Sequence, residues 1–171
     1  MTSFEPRRFL GVSPDAFPPF LRPWFKRFHV DFSPQLPPTT MSVVAATVVA
    51  IVASLAADAV LVKIGVSLFP STKGYVHFRF SDYSKLTIIG VIIACVGWPI
   101  VARISSQPKW LFLRAAVVVT AFLFVPDAMI WFLGQSAAAV FVLVWMHLAI
   151  AVVTYLALII LAPVRGRHMR R

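Results

Sequence analysis

The stretch "FVPDAMIWFLGQSAAAVFVLVWMH", residues 124–147, sets two ionisable side chains, Asp127 and His147, in apolar runs on either side of a three-residue connection, Gly134-Gln135-Ser136. A connection that short joins antiparallel neighbours. The run before it begins near residue 110 and the run after it continues to residue 163. Each is therefore long enough to cross a ~30 Å hydrocarbon core, which takes about 20 helical residues. The stretch reads as a transmembrane helical hairpin, and the rest of the chain is fitted around it.

Two further apolar runs, residues 42–62 and 86–104, bring the expected spans to four: about 42–62, 86–104, 110–133 and 137–163. Composition agrees: 60% of residues are hydrophobic and 13% charged, against roughly 45–50% and 25% in soluble domains. The expected fold is an all-α integral membrane protein, a four-transmembrane-helix bundle. The connection around Ser105 to Lys109 is nearly as short as the first, so spans two and three are expected to be neighbours as well. Forty-one residues precede the first span with no compact basic segment against it, so it is expected to stay in place and not to be cleaved as a signal peptide.

Orientation follows from the 16 Lys and Arg residues. One side of the membrane receives Arg7, Arg8, Arg22, Lys26, Arg27, Arg103, Lys109, Arg114, Arg165, Arg167, Arg170 and Arg171; the other receives Lys63, Lys73, Arg79 and Lys85. The excess belongs inside. Both termini are expected to be cytoplasmic, in a plasma (inner) membrane, with loops 63–85 and 134–136 outside. Flanking placement of this kind accounts for the net charge of +10 without a nucleic-acid partner. The chain divides into a Pro-, aromatic- and Arg-rich arm (residues 1–41), a membrane domain (42–163) and a basic tail (164–171).

The first span carries small residues four apart, Ala46, Ala50 and Ser54 on one line and Ala53 and Ala57 on another. Such lines let a neighbouring helix approach closely, the main packing device where lipid removes the usual hydrophobic drive. Three ionisable residues lie within the spans, Asp58, Asp127 and His147. Each costs a few kcal/mol there and marks a candidate site. With this orientation all three fall in the outer half, at depths of roughly 6, 9 and 15 Å at ~1.5 Å per residue. Across the hairpin turn Asp127 is expected to reach His147, directly or through water. Pro126 frees the carbonyl near Phe122, which then needs a partner of its own. The pair has two readings: a polar tie that fixes how spans three and four pack, or a proton-coupled or polar-substrate site. No second cluster continues the path towards the cytoplasm. Asp58 is expected to pair locally with Lys63 near the outer interface, and Arg114 to extend its stem to the inner one.

Enzyme signatures such as H-E-x-x-H, G-x-S-x-G or a phosphate-cradling Gly-rich loop do not occur, and the chain is expected not to be an enzyme. The single Cys95 excludes an internal disulfide and reads as a small apolar helix residue. His29, His77 and His168 fall on separate segments on both sides of the membrane, so no metal site and no cofactor are expected.

Two flanking segments read as contact surfaces. In the outer loop, "GYVHFRFSDYSK" (residues 74–85) alternates Tyr75, His77 and Arg79 with Val76, Phe78 and Phe80, a period of two that predicts a short β-prone strand. In the arm, "FPPFLRPWFKRFHVDFSPQLPP" (residues 17–38) sets Phe20, Trp24, Phe25, Phe28 and Phe32 among Arg22, Lys26 and Arg27. That mixture suits an amphipathic turn on anionic headgroups, or an aromatic-anchored arm docked on another subunit.

The fourth span, "VWMHLAIAVVTYLALIILAP" (residues 144–163) with His147 in "WMHL", and the Ala-rich first span together resemble small four-span actinobacterial inner-membrane proteins of unknown function, over residues 41–164. A 19 kDa four-span chain with such flanks is also similar to the accessory subunits of mycobacterial envelope machines, in particular the one accompanying MCE-type lipid importers. That resemblance implies a permease and its associated lipid-conducting proteins as partners. The expected function is a non-catalytic accessory or assembly subunit of a larger cell-envelope membrane complex, its partners being other integral membrane subunits and membrane lipids. The alternative is a small stand-alone or homo-oligomeric proton-coupled transporter using Asp58, Asp127 and His147.

Overall fold

The computed structural model describes residues 18–28, 30 and 36–165, with the side chain of Lys26 left out. Five α-helices follow in order: α1 (Arg22–Arg27), α2 (Thr40–Leu68), α3 (Phe80–Ile104), α4 (Pro108–Phe132) and α5 (Ala137–Leu161). The last four are each long and apolar enough to cross a membrane. The protein is a multi-pass membrane bundle.

Local chemistry sets the helix ends. Thr39 caps α2, accepting from the Ser42 amide at 3.1 Å while the Ser42 hydroxyl donates back to the Thr39 carbonyl at 2.8 Å. Arg79 precedes α3, and Asp82 puts a negative charge in its first turn, where the helix dipole favours it. Pro108 opens α4, its fixed φ suiting a first helical position. The tight connection to α5 is a Schellman turn: Gly134 takes φ +89°, its amide donates to Trp131 O, and the Gln135 amide donates to Ile130 O.

Two boundaries differ from the sequence reading. Helix α2 runs on to Leu68, past the expected end at residue 62, and α3 begins at Phe80 instead of 86. Lys63 is exposed on the helix surface, so its long stem carries the charge outward without ending the helix. The predicted strand at residues 75–80 is a correction. The loop instead makes 3₁₀ turns at Pro70–Thr72 and Val76–Phe78, and no strand occurs among the described residues. The cause is the aromatic set itself. Phe78 is buried, with Tyr75 edge-on to it at 5.1 Å and Tyr83 in the same cluster, while His77 Nδ1 pairs with Asp82 Oδ2 at 2.7 Å across the start of α3. A lone strand needs a partner strand; here the helical bundle takes up Phe78 and Tyr75 instead, leaving Val76 and Phe80 exposed.

Helix α2 packs most extensively on α5, α5 next on α4, and α3 bridges α2 and α4. Ala46, Ala50 and Ser54 are fully buried, whereas Ala53 and Ala57 are half-buried; the first small-residue line is the seam. At Gly65 an added Cβ would lie 2.6 Å from Val142 Cγ2, so α2 and α5 touch closely there too.

The half of the bundle nearer the termini, the terminal half, is apolar and dense. Val91, Cys95, Trp98, Phe112 and Leu158 share one core with Ala46 and Ala50. Trp98 is fully buried, its indole N–H donating to the Ala162 carbonyl at 2.8 Å, and Phe112 meets its ring edge-on at 5.2 Å and stacks on Tyr155. The arm folds back under this core. Val30 bridges to Ser105, and Leu36 to Arg165. The Arg165 guanidinium also donates to Pro37 O at 3.2 and 3.3 Å. Arg114 does more than extend to the interface: its guanidinium stacks 3.4 Å over the Trp110 ring and 5.8 Å over Phe28.

Candidate functional site

The half of the bundle away from the termini, the distal half, holds a buried polar cluster built from all four spans. The hairpin turn sets α4 and α5 side by side, and Asp127 and His147 meet: His147 Nδ1 lies 3.0 Å from Asp127 Oδ2. The Asp127 side chain is buried and that of His147 a quarter exposed, with Phe124 edge-on to the imidazole. The contact expected from the sequence is present and direct.

Asp58 differs from its expectation. It is fully buried, and it accepts a hydrogen bond from Thr87 Oγ1 of α3 at 2.8 Å on Oδ2. The ion pairs among the described residues are His77 with Asp82 and His147 with Asp127; Asp58 makes none with Lys63. The reason is geometric: Lys63, five residues on, points to the exposed side of a helix whose line through Ser54 and Asp58 faces inward. Because α2 ends at Leu68, Asp58 sits ten residues from that end, as His147 sits ten from the start of α5. The two are therefore at one level, ~15 Å along their helices.

Tyr75 covers the cluster from the loop. Its hydroxyl is buried without a hydrogen-bond partner. Burial, and after it the Asp127 carboxylate, push the phenol above its ordinary pKa. Three more buried atoms have no partner: Ser54 Oγ, Asp58 Oδ1 and Thr154 Oγ1. Chemically the set offers one hydrogen-bonded carboxylate–imidazole pair, a second carboxyl held by Thr87, and unpartnered oxygen ligands. Among the described residues no three His, Cys, Asp or Glu converge as metal ligands.

The sequence reading missed Thr87, Thr154 and the Tyr75 hydroxyl. Ser54 belongs to the small-residue line, but one turn before Asp58 its hydroxyl carries as much information as its volume. A hydroxyl in the second or fourth span at the depth of a buried acid was the available signal.

The flanking candidates separate. Phe20 and Trp24 point outward, 69% and 58% exposed. Arg22 and Arg27 are exposed too, while Phe25 and Phe28 are half-buried, Trp24 stacking on Phe28. The Lys26 side chain and Phe32 lie outside the described residues. In the loop Phe78 is a core residue, Tyr75 and His77 are half-buried, and Arg79 and Phe80 are exposed.

Fold and site together define a four-span α-helical membrane protein with an acid–histidine cluster confined to one half of the bundle. The chain belongs to DUF6069, a family of unknown function that matches residues 34–163. The match takes in all four spans and leaves out α1 and most of the arm. No curated protein and no solved structure matches the chain.

Proposed function

We propose that this protein is a non-catalytic accessory or assembly subunit of a larger membrane complex, seated in the plasma (inner) membrane with both termini cytoplasmic. The observation that carries the reading is the thin packing of α4: 11% of its apolar window is buried within the chain, against 22–28% for the other three spans. A span that uses so little of its surface at home leaves Val118, Phe122 and Met129 facing outward for a neighbour. The outward rings of Phe20 and Trp24, on an arm already tied to the bundle, add contacts at headgroup level. A lipid-moving envelope assembly, with an MCE-type importer as the named candidate, is the partner class suggested by the resemblance of the flanks.

The test is a mild-detergent pull-down of the tagged full chain from native membranes, with mass spectrometry of near-stoichiometric bands. A larger membrane assembly is expected, and truncating residues 1–28, which spares the Leu36–Arg165 clasp, is expected to weaken its recovery while insertion persists. Recovery alone or with copies of itself overturns the proposal.

The meeting of Asp127 with His147 favours one second reading, a proton-coupled transporter alone or as a homo-oligomer. It requires that Asp127→Asn abolish transport at unchanged protein abundance. Against it stands the terminal half, where Trp98, Phe112 and Leu158 close the bundle core with apolar atoms.

A further inference from the structure

Serine and threonine inside membrane helices ordinarily return their hydroxyls to a carbonyl one turn earlier. Thr47 of α2 does so, donating to Val43 O at 2.7 Å. Ser54 and Thr154 do not: each hydroxyl is buried and makes no bond to its own helix or to any other group, and Asp58 Oδ1 is in the same condition. The three residues are 0%, 4% and 0% exposed for Ser54, Thr154 and Asp58 respectively.

They also converge. Ser54 and Asp58 are one turn apart on the same buried line of α2. Helices α2 and α5 run antiparallel and touch at Gly65 and Val142; eleven residues back along α2 is Ser54, and eleven forward along α5 is Val153, beside Thr154. The core that holds Ala50 with Ala157 fixes the same register from the other side. By the same register Asp58 falls opposite Ala149, so the three orphaned oxygens lie within about five residues, ~8 Å, of one another along the buried faces of α2 and α5, one of them on a carboxyl group with no cation paired to it. In a hydrocarbon setting each such atom is costly, and three gathered within a turn and a half of packed helix offer a ligand set.

We propose that Asp58, Ser54 and Thr154 form a buried site for a compact monocation bound through oxygen, supplied either as Na⁺ or as a hydrated proton. Thr87 holds the second carboxylate oxygen and so aims the first. The groups around it are known from every packed element: Tyr83 and Thr87 on α3, His147 on α5 with Asp127 of α4 behind it, and Lys63 on α2 itself, exposed and turned away. Neither carboxyl has a Lys or Arg beside it, so the cluster holds one more acid than base, and a single bound positive charge balances it when all three groups are charged. The site does not depend on the accessory role, and it would operate within either reading given above.

The experiment uses the full chain in nanodiscs and follows modification of Asp58 by dicyclohexylcarbodiimide, a hydrophobic reagent that attacks protonated carboxyls within membranes, with mass-spectrometric mapping. Na⁺ at constant ionic strength, exchanged for choline, is expected to slow labelling of Asp58 several-fold and saturably. Labelling that is insensitive to Na⁺ but rises several-fold as pH falls, with the pH dependence displaced in Ser54→Ala and in Thr154→Val, assigns the site to the proton. Each variant keeps the acid and nearly the same volume, so folding is checked by unchanged recovery in the nanodisc. Labelling indifferent to Na⁺ and to pH, or a wild-type response unaltered in both variants, overturns the proposal.

Discussion

Gly65 is the residue at which the helix seam is most exacting. Any β-carbon there meets Val142 Cγ2 at 2.6 Å, so Gly65→Ala is expected to destabilise the bundle by about 1–3 kcal/mol, the usual range for overpacking. Adding Val142→Ala should recover most of the loss, a double-mutant cycle readable as thermal stability in detergent. At Trp98 the ring and the N–H do separate jobs. Trp98→Phe keeps an aromatic in the core but leaves the Ala162 carbonyl without its donor, at about 1–3 kcal/mol; Trp98→Ala also opens a cavity and should cost about 3–5 kcal/mol. Equal losses for the two variants would show that the indole hydrogen bond at 2.8 Å, which both remove, accounts for the whole loss and the cavity for none of it. Tyr75 gives a pH signature. Its raised pKa means that the folded loop favours the neutral phenol, so its contribution is full below pH 10.0 and fades as pH climbs through the raised value. Alkaline unfolding followed by fluorescence should therefore begin later in Tyr75→Phe, which has no phenol to ionise.

Among the elements, the spans were legible because apolar length and loop brevity are strong signals. Residues 134–136 permit little besides a hairpin, and the Asp127–His147 contact followed from counting along it. What escaped was decided across helices. Asp58 looked like a partner for Lys63 because both lie on one segment, yet the side chain that satisfies it is Thr87, 29 residues away on α3. The alternation from Tyr75 to Phe80 has the period of a strand, but Phe78 is taken into the bundle core while Val76 and Phe80 stay exposed, so no apolar strand face is formed. Helix ends were blurred for a related reason: a lysine with a four-carbon stem does not terminate a helix at the interface. A prediction belongs here as well. Asp127→Leu strands the half-buried His147 imidazole without its carboxylate partner and is expected to lower the amount of protein in the membrane, whereas Asp127→Asn, which can still hydrogen-bond, should lower it less. Membrane abundance by immunoblot distinguishes them.

For the whole molecule the four spans place both termini on one side, and the orientation proposed from the charge asymmetry, with that side cytoplasmic, has a direct test. Single cysteines introduced at Lys73 and at Gln135, in a background with Cys95→Ala, should react with a membrane-impermeant maleimide in intact cells, while one at Gln107 should react after lysis alone; the opposite pattern would invert the molecule. The clasp between arm and tail adds a temporal dimension. Leu36 and Pro37 precede the first span and Arg165 follows the last, with 128 positions between Pro37 and its guanidinium partner. The clasp cannot form during synthesis until all four spans have been made, and it closes the largest loop in the molecule, the kind of contact whose entropy cost makes it late. Formation of that clasp is thus a built-in report that all four spans have been made, because Leu36 and Pro37 have no partner in Arg165 until the last of them is complete.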